Sequence, residues 1–258
     1  MQQEFMENLK KNMIIFLQNQ TEQRGFDRVV FGLSGGLDSA IVALLCKEAF
    51  QDHAKAILMP SSKSSKENLE DALLMTEILK LPHELIPLKD YESIFSSYEN
   101  MDKTRYGNLC ARTRMMILYD FSHKDKALVV GTSNKTERLL GYGTIFGDLA
   151  YAINPIGDIF KSDLFEFAKF LKIPQRIIDK KPSADLYERQ SDEEDLGFSY
   201  QEIDSFLKRI IQEKLDFYNP SIILDKMQTA FPADFMHKIL KRINQNRFKI
   251  QAAPIFSL

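Results

Sequence analysis

The sequence predicts an α/β protein built on a doubly wound parallel sheet, with a helical extension at its C-terminal end. Four apolar runs, near residues 27–33, 54–59, 83–88 and 127–131, have the composition of buried strands. Segments with helical spacing separate these runs, and strands that alternate with helices favour a parallel sheet covered on both faces. Beyond residue 132 the strand pattern ends and helical periodicity continues, which predicts the extension.

The first helix is predicted over residues 2–24, because Phe5, Leu9, Met13 and Leu17 recur along one face. This spacing places one apolar side chain per turn toward the core. The pattern is that of an amphipathic helix.

The other helices follow from similar periodicity and from turn signals. A short helix near residues 91–98 precedes a longer one, which Asn108 is expected to cap and which runs to about Ser122. Further helices are predicted over residues 38–50, 67–80, 161–171, 200–213, 220–229 and 232–246.

Composition narrows the classes of protein that the chain can belong to. Its 258 residues are 44% hydrophobic and 27% charged, with a formal net charge of −2. This balance fits a globular protein and gives no sign of the basic surface that nucleic-acid binding requires. Charges interrupt the first 25 residues, and the longest apolar run, 40–46, is far too short to span a membrane. Cys46 and Cys110 lie in apolar helical patterns, which predicts buried thiols in a reducing cytoplasm.

The most informative segment joins the first strand to the next helix. Adjacent glycines allow a tight turn there, and backbone N–H groups at the start of a helix bind anions. Two serine hydroxyls add further donors. A carboxylate beside bound phosphate requires a cation between them, for which Mg²⁺ is the natural choice. The segment consists of Gly32, Leu33, Ser34, Gly35, Gly36, Leu37, Asp38 and Ser39.

This loop differs from the common phosphate-binding loops. It lacks the lysine of a Walker A loop, and no G-x-G-x-x-G follows a strand. Its pattern Ser-Gly-Gly-x-Asp-Ser resembles the pyrophosphate loop of the ATP pyrophosphatases, which transfer AMP to a substrate oxygen. A loop that cradles the β- and γ-phosphates together with a metal would stabilise the leaving pyrophosphate. The alternative is a tight turn without a ligand.

A second polar loop, residues 132–137, follows the fourth predicted strand and is expected at the same rim of the sheet. Asp38 and Glu137 form a natural pair of metal ligands, since Mg²⁺ takes one or two carboxylates beside phosphate oxygens. Thr132 is a candidate nucleotide contact. The alternatives are a solvated or helix N-terminal acid at Glu137 and a turn cap at Thr132.

Three basic residues are candidate ligands of anions. Arg112 could grip a phosphate in bidentate fashion or form a surface ion pair. Lys161 begins a predicted helix, where the dipole disfavours a cation, so an anionic partner is expected. Lys249 lies in a basic C-terminal stretch that equally fits a solvated face.

When its motifs are taken together, the chain resembles the NAD synthetases from about residue 5 to 255. The resemblance is to the short, ammonia-dependent form, which has an adenine nucleotide alpha hydrolase-like fold and no glutaminase domain. It implies one domain over 1–258, with an ATP pyrophosphatase core at about 25–180, a mobile loop at 181–197 and C-terminal helices at 198–250. The six segments that carry it are residues 32–39, 107–114, 131–137, 146–148, 181–186 and 190–197.

This resemblance implies a reaction in two steps. ATP adenylates the nicotinate carboxylate of deamido-NAD and releases pyrophosphate, and ammonia then displaces AMP to give NAD. Residues 32–39 and Thr132 would bind ATP, while Asp38 and Glu137 would hold Mg²⁺. Lys161 and Ser183 would contact the phosphates, and Lys161 would stabilise charge at the α-phosphate in the transition state.

The resemblance also implies further site residues and an assembly. Arg112 and Lys249 would bind deamido-NAD, and Asp148 would take a proton from ammonium, since only neutral ammonia is nucleophilic. The loop at 182–197 would exclude water from the acyl adenylate. Members of the family are homodimers that bind deamido-NAD across the subunit interface.

The chain departs from the family pattern at three positions. Ile145 and Ala152 stand where a lysine and an aspartate that touch deamido-NAD are expected, and Phe248 replaces a histidine. The substrate contacts are therefore less well defined than the ATP contacts.

Two other functions remain as alternatives. One is another amidating or thiolating ATP pyrophosphatase, such as a GMP synthetase-like enzyme, and the other is a non-enzymatic ATP-binding sensor.

Overall fold

The sheet at the centre of the molecule has four parallel strands. The structure, a computed structural model, describes residues 2–95, 97–183 and 191–256. The strand order is β3-β2-β1-β4, so the chain runs to one edge and then returns to the other side of β1. The strands are β1 (Arg28–Gly32), β2 (Ala54–Leu58), β3 (His83–Leu85) and β4 (Ala127–Val129).

The register of the sheet defines its switch point. Phe31 lies opposite Ala56 on β2, and Val29 lies opposite Leu128 on β4. Because the connection changes direction between β1 and β4, the crevice beyond their carboxyl ends is the place where a parallel sheet binds ligands.

The part of the chain that the structure describes contains twelve α-helices. Their order along the chain agrees with the predicted alternation. They are α1 (Gln2–Glu22), α2 (Leu37–Phe50), α3 (Lys66–Leu79), α4 (Lys89–Phe95), α5 (Lys103–Asp125), α6 (Lys135–Leu140), α7 (Lys161–Phe170), α8 (Gln175–Ile178), α9 (Asp192–Leu196), α10 (Tyr200–Gln212), α11 (Pro220–Met227) and α12 (Ala233–Asn246).

Helices cover both faces of the sheet. Val29 and Phe31 of β1 pack in one cluster with α1, α2, α3 and α7, while Val30 packs in a second cluster with α4 and α5. Neighbouring residues of a strand point to opposite faces, so a strand buried on both sides is continuously apolar. The predicted doubly wound α/β class is confirmed.

The C-terminal helices form a third apolar cluster. Phe206 and Ile210 of α10 and Ile239 of α12 are almost completely buried, and they pack with Leu140 of α6 and Phe160. The predicted extension is therefore helical and is attached next to the loop that follows β4. None of the helices in the described ranges is long and apolar enough to cross a membrane.

Two local predictions differ from the structure. Strand β3 ends at Leu85 rather than Leu88, although the N–H groups of Ile86 and Leu88 still donate to the carbonyl oxygens of Leu58 and Pro60 at 2.8 and 2.9 Å. Pro60 has no N–H with which the β2 side could continue the ladder. Asn108 lies inside α5 and does not cap it. The N-cap is Asp102, whose side chain accepts a hydrogen bond from the Arg105 N–H at 2.7 Å.

The segment predicted as a mobile loop, 181–197, is described only in part. Its residues 184–190 lie outside the described residues. Residues 181–183 have no regular structure, whereas α9 follows directly after Ser191, and Ser191 and Asp192 are buried. The C-terminal part of this segment therefore belongs to the packed structure.

Candidate active site

The glycine-rich loop after β1 leads directly into α2. Gly35 has a φ of +81°, and an added Cβ would lie 2.0 Å from the carbonyl oxygen of Asn68 on α3. Only glycine fits this turn, because both its conformation and the close approach of α3 exclude a side chain. Gly36 is the N-cap of α2 and supplies no side-chain acceptor. The first N–H groups of α2 are therefore available to an anion.

The two serines of the loop hold its shape. Ser39 Oγ donates to the carbonyl oxygen of Gly36 at 2.9 Å and accepts from the Ser34 N–H at 3.2 Å. Ser34 Oγ lies 3.0 Å from Ser39 Oγ and accepts from the Gly36 N–H at 3.3 Å. The hydroxyls expected as phosphate donors thus bind the loop's own backbone in this structure.

A cavity of about 440 Å³ opens at the switch point of the sheet. The loop after β1, the ends of β1, β2 and β4, and residues 180–183 line it. Gly35 is the one predicted loop residue that is not in its lining. The predicted site residues that line the cavity are Gly32, Leu33, Ser34, Gly36, Leu37, Asp38, Ser39, Thr132, Glu137, Asp148, Lys161 and Ser183.

Asp38 is the centre of a polar cluster in this cavity. Its Oδ1 accepts from Lys161 Nζ at 2.6 Å, and its Oδ2 accepts from Asn134 Nδ2 at 2.8 Å. Asn134 is the N-cap of α6 and forms a capping box with Glu137, whose Oε2 accepts from the Asn134 N–H at 3.2 Å. Asn134 thereby holds both predicted metal ligands in place.

Burial and charge act together on the ionisable groups of this cluster. Desolvation raises the pKa of Glu137 well above its usual range, and the negative charges of Asp38 and Asp192 raise it further. Desolvation lowers the pKa of Lys161, but the carboxylates of Asp38 and Glu137 outweigh it and raise the pKa overall. Lys161 therefore carries a positive charge into a site that also contains carboxyl groups.

Asp148 borders the same cavity from the loop that follows α6. Its Oδ1 accepts the Thr144 N–H at 2.5 Å. Its surface is accessible from the cavity, yet protein surrounds the carboxyl, and this desolvation raises its pKa in spite of the Thr144 bond and the charge of Arg114. A carboxylate whose pKa is raised is a stronger base than an ordinary aspartate.

Arg112 and Lys249 lie outside the lining of the cavity. Arg112 is exposed on α5, and its Nε donates to the carbonyl oxygen of Ile145 at 3.3 Å. Lys249 Nζ donates to the carbonyl oxygens of Gly141 and Gly143 at 2.9 and 3.1 Å. Desolvation and then the charge of Arg242 lower the pKa of Lys249. Both residues thus contact the loop that carries Asp148.

Sequence reasoning missed several residues that line the cavity. Arg114 donates from Nε to the carbonyl oxygen of Met59 at 3.0 Å and faces Asp148. Tyr142 Oη lies within hydrogen-bond distance of Asp192 and Asp195 on α9. Lys180 bonds to the glycine-rich loop itself. Each of these contacts joins distant parts of the chain, so no local pattern predicts it. The only signal in the sequence is that these residues lie in or beside the six segments that carry the family resemblance.

A parallel sheet with a glycine-rich loop at its switch point, and a buried lysine supplied from another helix, defines an ATP pyrophosphatase of the PP-loop class. A family model described as NAD synthase matches residues 9–253. The chain belongs to the NAD synthase family.

Individual relatives cover nearly the whole chain. The NH(3)-dependent NAD(+) synthetase of Helicobacter pylori (strain G27) is 48% identical over 241 residues, which are 93% of this chain and 92% of that protein. The structure of the NH3-dependent NAD synthetase from Campylobacter jejuni superposes with a TM-score of 0.82 at 36% identity, covering 98% of this chain and 99% of that one. NMN synthetase from Francisella tularensis superposes with a TM-score of 0.86 at 30% identity, with the same coverage. A GMP synthetase-like enzyme or an ATP-binding sensor is not favoured.

Proposed function

We propose that this protein is an ammonia-dependent NAD synthetase, a ligase that forms a C–N bond. ATP adenylates the nicotinate carboxylate of deamido-NAD with release of pyrophosphate, and ammonia then displaces AMP to give NAD. The observation that carries this proposal is the position of the glycine-rich loop. Its available helix N–H groups lie at the switch point of the sheet, in one cavity with Lys161 and Asp148.

In the first step the loop and Lys161 act on the departing pyrophosphate. The N–H groups at the start of α2 stabilise negative charge on the outer phosphates. Lys161 would exchange its contact with Asp38 for the α-phosphate, where charge develops in the transition state. Thr132 and Ser183 line the same cavity and would bind the nucleotide, as would the backbone of residues 32–39.

Mg²⁺ would be held by Asp38 and Glu137. The donor set fits, since two carboxylates share a desolvated site in which their mutual repulsion raises the pKa of Glu137. In the described part of the chain no group of three or more Asp, Glu, His or Cys side chains could hold a metal. Phosphate oxygens and waters would complete the shell, as is usual for Mg²⁺, and the ion would neutralise charge on the leaving group.

In the second step Asp148 would accept a proton from ammonium. Ammonium is not a nucleophile, so a base must generate ammonia beside the acyl adenylate. The desolvation that raises the pKa of Asp148 makes its carboxylate a stronger base than an ordinary aspartate. The proposed loop at 182–197 would exclude water, which otherwise hydrolyses the adenylate.

Deamido-NAD would bind beside the loop that carries Asp148. Arg112 and Lys249 contact the backbone of residues 141–145 and would supply positive charge to the dinucleotide phosphates. Ile145 and Ala152 offer no charged side chain there. The substrate's polar groups would therefore rely more on Arg112 and Lys249 than on these two positions.

The test is a complete reaction containing ATP, Mg²⁺, ammonium and deamido-NAD. We expect NAD, AMP and pyrophosphate in equal amounts, with NAD followed by coupling to alcohol dehydrogenase and pyrophosphate by coupling to a pyrophosphatase. Formation of ADP and orthophosphate, or an unchanged nucleotide, would show that the proposal is wrong.

A second candidate substrate is nicotinate mononucleotide. The structural similarity to a protein described as NMN synthetase, at a TM-score of 0.86, favours including it. The reacting carboxylate is the same in both substrates, so the two differ only in contacts remote from the chemistry. Comparison of kcat/KM for the mononucleotide and the dinucleotide decides between them, and we expect the dinucleotide to be preferred.

The proposal extends to a cytoplasmic homodimer. Exposed apolar side chains on α1 and α5 support a second subunit: Phe5 is 62% exposed and Met116 is 51% exposed. Cys46 and Cys110 are free and buried, as expected in a reducing compartment. Light scattering on the eluting protein tests the assembly, and a mass of one chain at micromolar concentration would contradict it.

A further inference from the structure

We propose that Lys180 is a positioning residue that keeps the glycine-rich loop in its phosphate-binding conformation. This inference rests on the proposed function in that ATP is taken as the ligand of the loop. Lys180 itself need not touch the nucleotide. It acts through the backbone of Gly35, 145 positions earlier in the chain.

An anion loop has to direct its carbonyl oxygens away from the ligand. The loop contains as many carbonyl groups as N–H groups, and a carbonyl turned toward phosphate would repel it. The carbonyl oxygen of Gly36 accepts from Ser39 Oγ at 2.9 Å and from the Ala40 N–H at 3.1 Å. The carbonyl oxygen of Gly35 accepts from Lys180 Nζ at 3.2 Å. Both glycine carbonyls are thus bound by donors of the protein itself.

The ammonium group of Lys180 is fixed by two further partners on α3. It donates to Asn68 Oδ1 at 2.8 Å and forms an ion pair with Asp71. Asp71 is fully buried, and the Lys180 side chain is 18% exposed. These contacts hold α3 against the turn at the point where a Cβ on Gly35 would collide with the Asn68 carbonyl. Lys180 therefore joins the loop and α3 into one packed unit.

The hydrogen bond from Lys180 to Gly35 can be tested separately from the neutralisation of the Asp71 charge. Arg176 on α8 also pairs with Asp71, with Nε 2.5 Å from Oδ1. No bond from Arg176 to the glycine-rich loop is present in the described part of the chain. If Lys180 only balanced the charge of Asp71, Arg176 would serve the same purpose and its loss would have the same consequence.

Lys180 is the first of four consecutive residues that line the cavity. Lys181, Pro182 and Ser183 follow it there, and the ammonium of Lys180 contacts the carbonyl oxygen of Gly35. One lysine thereby sets both the carbonyl orientation of the loop and the starting point of the segment that faces the nucleotide.

The experiment compares Lys180→Met with Arg176→Met. For Lys180→Met we expect the KM for ATP to rise roughly tenfold or more, the size of losing a hydrogen bond from a charged donor, while the KM for deamido-NAD changes less than about twofold. Lys180→Arg should restore part of the ATP affinity, since a guanidinium still donates to several acceptors. Arg176→Met should lower the melting temperature and leave the KM for ATP unchanged.

Two outcomes would overturn the inference. One is an unchanged KM for ATP in Lys180→Met, and the other is an equal rise in both variants, which would assign the effect to Asp71. If Lys180→Met does not fold, Asp71→Asn is compared with Asp71→Asn/Lys180→Met. That pair removes the buried charge from both proteins, and only the double variant should lose ATP affinity.

Equilibrium binding of α,β-methylene-ATP separates this inference from the proposed function. This analogue cannot be cleaved between the α- and β-phosphates, so its affinity reports the loop without turnover. Weaker binding to Lys180→Met supports the role of Lys180 even if the wild-type protein forms no NAD. Unchanged binding contradicts that role even if the wild type is a fully active synthetase.

Discussion

Lys161 Nζ lies 2.6 Å from Asp38 Oδ1, although 123 residues separate them in the chain. Their side chains are only 7% and 12% exposed. Lys161 is the first residue of α7, where the helix dipole disfavours a cation, and Asp38 lies in the first turn of α2. In this pair the positive charge of the buried lysine and the negative charge of the buried aspartate compensate each other. It also positions both where ATP chemistry is proposed.

Lys161→Met should cost stability as well as activity. Removing one partner of a buried ion pair leaves the other charge uncompensated, which costs about 3–5 kcal/mol of unfolding free energy. Urea unfolding measures this loss, and pyrophosphate release should fall to background. The matched control is Lys169→Met on the same helix, whose pair with Glu166 is exposed and should contribute less than about 1 kcal/mol. Equal losses in the two variants would contradict the assignment.

Asp148→Asn should separate the two chemical steps. The amide preserves the size of the side chain and can accept the Thr144 N–H, but it cannot take a proton from ammonium. We expect a normal burst of pyrophosphate in rapid-quench experiments and NAD formation slowed by roughly a hundredfold or more. Asp158→Asn, an exposed aspartate paired with Lys135, is the control and should behave as wild type. Loss of the burst would place Asp148 in the first step.

Gly35→Ala should abolish ATP binding and destabilise the protein. The alanine would need a left-handed backbone and would place its Cβ 2.0 Å from the Asn68 carbonyl oxygen. Gly25→Ala is a matched control, because Gly25 has a φ of +77° and open space around its Cβ position. That variant should lose roughly 1–2 kcal/mol from backbone strain alone. Calorimetric unfolding and ATP titration compare the two, and similar losses would show that the contact with α3 is unimportant.

Asp204 should make stability depend on pH. Thr136 Oγ1 and the Ser162 N–H donate to its carboxylate and Lys208 lies nearby, yet desolvation outweighs them and raises its pKa above the usual 3.8. A carboxyl with a raised folded-state pKa binds more protons in the folded than in the unfolded protein. Its contribution is therefore fully present below pH 3.8 and is lost as pH rises through the folded-state pKa.

Asp204→Asn provides the measurement for this linkage. The amide does not titrate, so the unfolding free energy of the variant relative to wild type should increase as the pH rises from about 4 to 7. Urea unfolding at several pH values determines the difference. A difference for Asp204→Asn that falls with pH would show that its pKa is lowered instead.

Local patterns in the sequence predicted the fold class because they depend on neighbouring residues. The apolar run at Val29–Phe31 and the glycines that follow it fix a buried strand and a tight turn without reference to distant segments. Asn108 shows the limit of this reasoning. Its cap prediction was wrong, because Asp102 satisfies the helix N-terminus six residues earlier and Gly107 is accommodated inside α5.

Candidate site residues could be predicted where they belong to a short sequence motif with a known chemical role. Asp38 and Glu137 each follow a predicted strand, and the structure brings both to one cavity. Lys180 could not be predicted in this way, since its partners are a backbone carbonyl and two side chains of α3, all distant in the sequence. Arg112 was named from the family resemblance as a ligand of deamido-NAD and stays a prediction, whereas Arg114 on the same helix, which lines the cavity, was not named.

The sequence by itself determined the parallel α/β architecture, the glycine-rich anion loop and the membership of the NAD synthase family, since these reside in contiguous segments. The tertiary structure alone decided that Lys161 meets Asp38, that Lys180 holds Gly35, and that Arg112 and Lys249 contact the loop of Asp148. The physical reason is that such contacts join segments separated by up to 145 residues. Their geometry is set by how helices pack on the two faces of the sheet, and a local pattern does not contain that information.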